Sequence, residues 1–401
     1  MAKFLDIAEF YSSHGGGVRT YVHQKLAAAA AAGHTCVVIA PGDADRVEQR
    51  RGGRIVWVRS RPHPMDHRYY TLRNRAAVHE VLDQEQPDVV EGSSPWSGGR
   101  FAAGWRGPAI KSLFIHQDPV AAYGHTLFGR WLDAGTIDRL SAAFWHYLRR
   151  LSRQFDTAIV AGEWMARRLA SFGVERLTAI PFGADRAAFS PGARDPALRV
   201  EMLRLCGIEA PDARLLIAIG RHHPEKRWET MISGVRLARR SANIGLFGVG
   251  DGPWRAWVAR CARRAGHVHL AGATADRALL ARWLASADGF LHGSAAETYG
   301  IVVAEALASG LPLVVPNVGG AAELARPGYA ETYPPGDVRA CAEAILRLLA
   351  RERTSTSAAA SAAAQRLGDP ADHFKHLFAH YQGLIDRRRL ACSAPAAVAA
   401  S

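Results

Sequence analysis

Short β-branched runs alternate with longer amphipathic stretches along most of this chain, and that alternation limits the fold more than any other feature. In the first half the runs fall at residues 4–8, 36–40, 55–59, 89–91, 111–115 and 157–161, with helical patterns at 21–32, 73–84 and 137–153. A second series follows at 215–219, 244–248, 268–270, 289–291 and 312–315, with helical patterns at 228–240, 254–265, 277–285 and 302–309. Alternation at this spacing predicts an α/β protein whose sheets are largely parallel, with helices on both faces. The 401 residues suffice for two such cores. Residues 180–195, IPFGADRAAFSPGARD, are rich in Pro, Gly and Asp and poor in periodicity, and read as the connection between them. Residues 355–364 are Ala/Ser-rich and fit either a helix or a pliable spacer, whereas 374–386 regain a helical pattern.

Composition narrows the partners. With 50 Lys+Arg against 37 Asp+Glu, the formal charge of +13 favours anions: nucleotide diphosphates, phospholipid surfaces or nucleic acid. Nothing resembles a recognition helix or an aromatic nucleic-acid-binding sheet, so no nucleic-acid partner is expected. No stretch of about 18 apolar residues runs without a charge or breaker, which argues against a transmembrane span. Asp6 and Glu9 interrupt the start of the chain before any apolar signal region forms, so a cytoplasmic location is expected. The five cysteines have neither metal-ligand nor redox spacing.

The segment ETYGIVVAE carries the clearest chemistry: Glu297 stands in a loop, and Glu305 lies eight residues on. A helix starting near Gly300 places Glu305 in its second turn and leaves the amides around Tyr299, Gly300, Ile301 and Val302 unpaired. Unpaired amides at the positive end of a helix suit a diphosphate, and carboxylates suit the vicinal hydroxyls of sugars. An amphipathic helix with Glu305 on its wet face explains that glutamate alone equally well. In AIGRHHPEKRWE, Arg221 and Lys226 follow the first strand of the second series, at the carboxyl edge where open parallel sheets bind ligands. Two cations there would neutralise charge growing on a departing diphosphate. The adjacent His222 and His223 lack chelating geometry, and no metal is assigned. Near the N-terminus, HGGGVRTYV sets Gly15, Gly16 and Gly17 immediately before a helix, where side chains would block a close approach. Neither this turn nor GVGDGP at 248–253 has the dinucleotide-binding fingerprint, which counts against hydride transfer.

Taken in order, the Gly-rich N-terminal loop, the GR…K loop, GVGDGP, and the paired glutamates followed by ALASGLPLVVPNVGG resemble the retaining nucleotide-sugar glycosyltransferases of family 4, which have the GT-B fold. HGGGVRTYV is most similar to bacterial mannosyltransferases of that family. The resemblance implies a Rossmann-like acceptor domain at 1–183 and a nucleotide-sugar-binding domain at 184–368. A helix at 369–388 would cross back to the first domain, ahead of a disordered tail at 389–401. It further implies that Arg221 and Lys226 hold the diphosphate, Glu297 faces the transferred sugar and Glu305 accepts ribose hydroxyls. Gly16, Gly17, Gly220, Gly250 and the 299–302 amides would line the donor, with His116 near the reacting carbon and Asp118 and Tyr123 toward the acceptor. His116 as an ordinary loop histidine and Asp118 as a turn cap are the structural alternatives.

The expected activity is transfer of a hexose, first of all mannose from GDP-mannose, to a lipid-linked or polysaccharide acceptor, with no cofactor and no metal. No Asp-x-Asp follows a strand of the second series. A sugar-nucleotide epimerase or hydrolase remains the alternative. A pyridoxal-dependent phosphorylase lacks a placed lysine, and a basic nucleic-acid binder lacks a reading surface. Contact with an anionic membrane is expected through Arg50, Arg51, Arg54, Arg59, Arg61 and Arg68 with Trp57, Tyr69 and Tyr70, for which a solubilising arginine-rich surface is the competing view.

Overall fold

A computed structural model describes residues 1–12, 17–63, 66–210 and 212–393. Its strands are β1 (Lys3–Ile7), β2 (Thr35–Gly42), β3 (Arg46–Arg50), β4 (Gly53–Arg59), β5 (Arg61–His63), β6 (Asp66–Thr71), β7 (Val89–Gly92), β8 (Ile110–Phe114), β9 (Thr157–Val160) and β10 (Leu177–Ala179), then β11 (Arg214–Ile219), β12 (Ile244–Val249), β13 (Val268–Gly272), β14 (Gly289–Leu291), β15 (Leu313–Pro316) and β16 (Ala330–Tyr333). The first sheet has the order β10-β9-β8-β7-β1-β2-β4-β3, and the second β13-β12-β11-β14-β15-β16. Every pairing is parallel except the β3–β4 edge and the separate β5–β6 hairpin.

This order decides where ligands can sit. In the second sheet the chain steps outward from β11 through β13, then returns to the other side of β11 and steps through β14 to β16. In the first it steps from β1 to β2 and β4, then returns through β7. Each reversal opens a crevice beyond the carboxyl ends of its two central strands. The helices follow from a steric limit, since parallel neighbours cannot be joined by a tight turn.

Four buried clusters fill the two faces of each sheet. The last helix, Pro370–Ser393, belongs to the first unit: Phe374, Leu377, Phe378, Tyr381 and Ile385 pack with Phe4, Tyr21 and Phe114. The chain therefore passes between units twice, and the passages touch, the Ala184 amide donating to the Gly368 carbonyl at 3.1 Å. Because the helix runs through Ser393, residues 389–393 are not the disordered tail anticipated; 394–401 lie outside the described residues.

Several elements had no apolar signature in the sequence. RVEQR in β3 is an edge strand with little to bury, and RPH in β5 pairs only within its hairpin. The single helix anticipated at 137–153 is two, Ala134–Leu140 and Ala142–Ser152, with the Ser141 hydroxyl bonded back to the Ile137 carbonyl. Residues 355–364 are helical within Arg353–Ala364. Among the described residues no helix is long and apolar enough to cross a membrane.

Candidate active site

The loops leaving β11 and β14 flank the reversal point of the second sheet, and they bring Lys226 to Glu297. Lys226 ends a short 3-10 turn, Pro224–Lys226, and its ammonium donates to Glu297 Oε1. Nε2 of the buried His292, the first residue past β14, lies 3.4 Å from the same oxygen. Burial raises the Glu297 pKa, but the Lys226 charge outweighs it, and with His292 holds the carboxyl well below its usual range. Burial likewise pulls Lys226 down, while Glu297 and Glu225 more than offset it, so the amine stays charged. About a fifth of each side chain remains accessible, 20% for Lys226 and 18% for Glu297, so the pair is open to a ligand. Arg221 is more exposed still, its guanidinium 3.9 Å from Glu225.

The helix Ile301–Ala308 starts against this pair. Gly300 caps it at φ +90°, a left-handed geometry that favours glycine. The Val303 and Ala304 amides return to the Gly300 carbonyl, whereas the amides of Tyr299, Gly300, Ile301 and Val302 donate to no atom among the described residues. Burial pushes the Tyr299 phenol up to about 12 and keeps it neutral. Gly250 is demanded by packing: at φ +148° an added Cβ would stand 1.9 Å from the Gly220 carbonyl oxygen. Gly220 itself would take a methyl at ordinary contact with Lys226, 3.5 Å away. Gly17 opens the helix Gly17–Ala31 with nothing within 4 Å of an added Cβ, and Gly16 lies outside the described residues.

Glu305 falls in the second turn of Ile301–Ala308, as the spacing predicts, but it is buried and not on a wet face. Burial raises its pKa to about 7 against the opposing charge of Arg277, with Asp185 adding to the rise. Arg277 lies 3.4 Å from Glu305 and 2.8 Å from Asp185 of the connecting segment. The sequence reading missed Arg277 and His292. Arg277 opens the helical pattern read at 277–285 and His292 stands just past the run read at 289–291, and those positions were the available signal.

The first unit faces this edge directly. The Thr298 hydroxyl donates to the His116 carbonyl at 3.0 Å, and the Tyr123 ring meets His223 edge-on at 6.4 Å. The His116 ring stacks on Phe114 at 4.0 Å, and burial lowers its pKa to about 4, so it is neutral near pH 7. Asp118 differs from the acceptor contact anticipated. Its carboxylate is fully buried, one oxygen capping the Val120 and Ala121 amides and the other paired with Arg168, so in this structure it turns away from the surface a substrate would reach. Tyr123 is exposed at the cleft.

The anticipated membrane surface is only partly presented: Arg51, Arg59 and Arg61 are exposed, but other members are engaged within the protein. Trp57 is buried and donates to Glu48, while Arg50 pairs with Glu48 and Arg54 with Glu85. Tyr69 and Tyr70 are half-buried, and the Arg68 side chain lies outside the described residues.

Two facing Rossmann-like units with an amide-lined crevice between them form the GT-B architecture, and the comparisons with known proteins make this a glycosyltransferase. Residues 15–188 match the profile described as Glycosyltransferase Family 4, and residues 213–351 that described as Glycosyl transferases group 1. A GDP-mannose-dependent alpha-mannosyltransferase of Mycolicibacterium smegmatis is 30% identical over 397 residues, covering 96% of this chain and 98% of the relative. A GDP-mannose-dependent alpha-(1-6)-phosphatidylinositol dimannoside mannosyltransferase of Mycobacterium tuberculosis is 27% identical over 327 residues, 80% of this chain and 81% of the relative. Among solved structures, the sucrose-phosphate synthase of Thermosynechococcus elongatus superposes with a TM-score of 0.75 at 20% identity, covering 96% of this chain and 100% of that one. The chain belongs to glycosyltransferase family 4.

Proposed function

We propose that this glycosyltransferase moves mannose from GDP-mannose to a lipid-linked or polysaccharide acceptor, with retention of configuration and without a metal. The observation that carries the reading is the Lys226–Glu297 pair at the reversal point of the second sheet, beside four undonated amides at the start of Ile301–Ala308. The names of the two mannosyltransferase relatives support the choice of sugar and nucleotide.

In this reading the diphosphate lies across the 299–302 amides, with Lys226 and Arg221 on its oxygens. Cations already fixed in a partly dry site stabilise the charge that grows on the leaving phosphate without reorganising at the moment of reaction. The C1–O bond to the diphosphate breaks as the acceptor oxygen bonds C1 from the same face. The acceptor proton passes to a departing phosphate oxygen, so no side-chain nucleophile is needed. Glu297, freed as Lys226 turns to the diphosphate, accepts hydrogen bonds from the sugar and orients it. Glu305 accepts from the ribose hydroxyls. Neutral His116 sits on the facing wall, on the reacting side of the sugar.

Donor consumption with GDP-mannose and with UDP-sugars, each with and without an acceptor extract and with EDTA, tests the proposal. Acceptor-dependent consumption of GDP-mannose that persists in EDTA is expected. Consumption independent of acceptor would point to a hydrolase or epimerase, and activity lost to EDTA and restored by magnesium would overturn the metal-free route.

A further inference from the structure

Among the described residues, seventeen large apolar side chains are prominently exposed, and six of them fall within residues 123–140: Tyr123, Leu127, Phe128, Trp131, Leu132 and Leu140. Such concentration is unusual on a surface that faces only water. Local geometry makes it one face. Tyr123, Leu127 and Trp131 are spaced by four through the helical turns Val120–His125 and Thr126–Phe128 and the hydrogen-bonded turn that follows, so successive side chains stack on one side. The opposite side is anchored, with Val120, Ala121, Ala122 and Ile137 buried. Trp131 is 63% exposed, and the Arg130 guanidinium lies over its ring at 3.6 Å. An indole capped by an arginine suits the boundary between acyl chains and headgroups.

We propose that this face docks the enzyme on an anionic lipid bilayer, with Leu127, Phe128, Trp131 and Leu132 entering the acyl boundary and Arg130 meeting a headgroup phosphate. Charge complementarity favours that occupant: the chain carries +13, Arg130 stands on the face itself, and Asp138, the acidic group beneath the face, is turned inward to Arg168 and His125. Asp133 is engaged by the Thr136 amide and hydroxyl. The face is also continuous with the cleft, since Thr126–Phe128 packs on the Pro224–Lys226 turn and Tyr123 reaches His223. A bilayer seated there would present a lipid headgroup at the mouth of the site. The placement rests on and deepens the lipid-acceptor part of the proposed function, and moves the membrane contact from the arginine-rich surface around Trp57 to this face.

Flotation of the full chain with phosphatidylglycerol/phosphatidylcholine vesicles and with pure phosphatidylcholine, at low and moderate salt, tests the face. Wild-type protein is expected with the anionic vesicles, less so as salt rises. The Leu127→Ser/Trp131→Ser variant is expected to lose at least about tenfold in partitioning, and Arg51→Ser/Arg59→Ser/Arg61→Ser to keep it. Wild-type partitioning by the first variant, loss in the second, or no vesicle binding by the native chain would each overturn the proposal. Consumption of GDP-mannose in the same preparations, supplied with the acceptor extract, separates the two ideas. A chain that turns over donor but floats with no vesicle removes the docking face alone, and one that floats without turnover removes the transfer reading alone.

Discussion

At the reversal point of the first sheet, Asp6 on β1 stands directly opposite Glu91 on β7, two carboxylates on adjacent strands. Lys25, from the helix Gly17–Ala31, bridges them at 3.4 and 2.7 Å, and Tyr381 from the last helix donates to Glu91. All three charged side chains are 1–2% exposed. At the equivalent point of the second sheet, Lys226 and Glu297 remain about a fifth accessible and adjoin amides without acceptors. Charge closed on itself holds parts together, as Tyr381 does for the last helix. Charge left partly accessible beside unused donors is what the proposed function takes as its binding surface.

The largest effect should come from breaking the closed cluster. Lys25→Ala leaves two opposed buried carboxylates without a cation and should cost about 3–5 kcal/mol of stability, read as a lowered denaturant midpoint. A near-native midpoint would mean water already reaches the cluster. In the open pair, Lys226→Ala should preserve the fold and lower turnover at least about a hundredfold. Glu297→Gln should lower turnover more than nucleotide affinity, and Glu305→Gln the reverse, because ribose hydroxyls do not change during the reaction. Equal affinity losses in the two variants would contradict that division.

The smallest effect concerns pH. Burial raises the Glu305 carboxyl to about 7, so it is ionised above that pH and protonated below it. The ionised form is the better acceptor for ribose hydroxyls, so nucleoside-diphosphate affinity should rise with pH, by up to about tenfold between roughly pH 6 and 8. Glu305→Gln should flatten that slope. Arg277 and Asp185 face the same carboxylate, and Arg277→Ala should move the midpoint higher, because the opposing cation is gone.

The same contrast explains what the sequence made legible. Parallel α/β units could be read because buried central strands leave continuous apolar runs, as in LLIAI of β11. The candidate site was legible where a motif tied residue type to strand end, as with Lys226 after β11 and Glu297 after β14. Lys25 was not, because a lysine among alanines on an amphipathic helix looks solvated, and only the pairing of β1 with β7 buries it between carboxylates. Asp118 had two readings that only its partners Val120, Ala121 and Arg168 could separate. The exposed face at 123–132 was hidden for the converse reason: its apolar residues look like core until their neighbours are known.

The most direct test of the open site is calorimetric titration of GDP and of guanosine into the native chain and into Lys226→Ala. If Lys226 serves the diphosphate, GDP affinity should fall by about tenfold or more, the worth of one hydrogen-bonded charge, while guanosine affinity stays unchanged. Unchanged GDP affinity in a folded variant would contradict the account, since Lys226 would then serve only to hold Glu297.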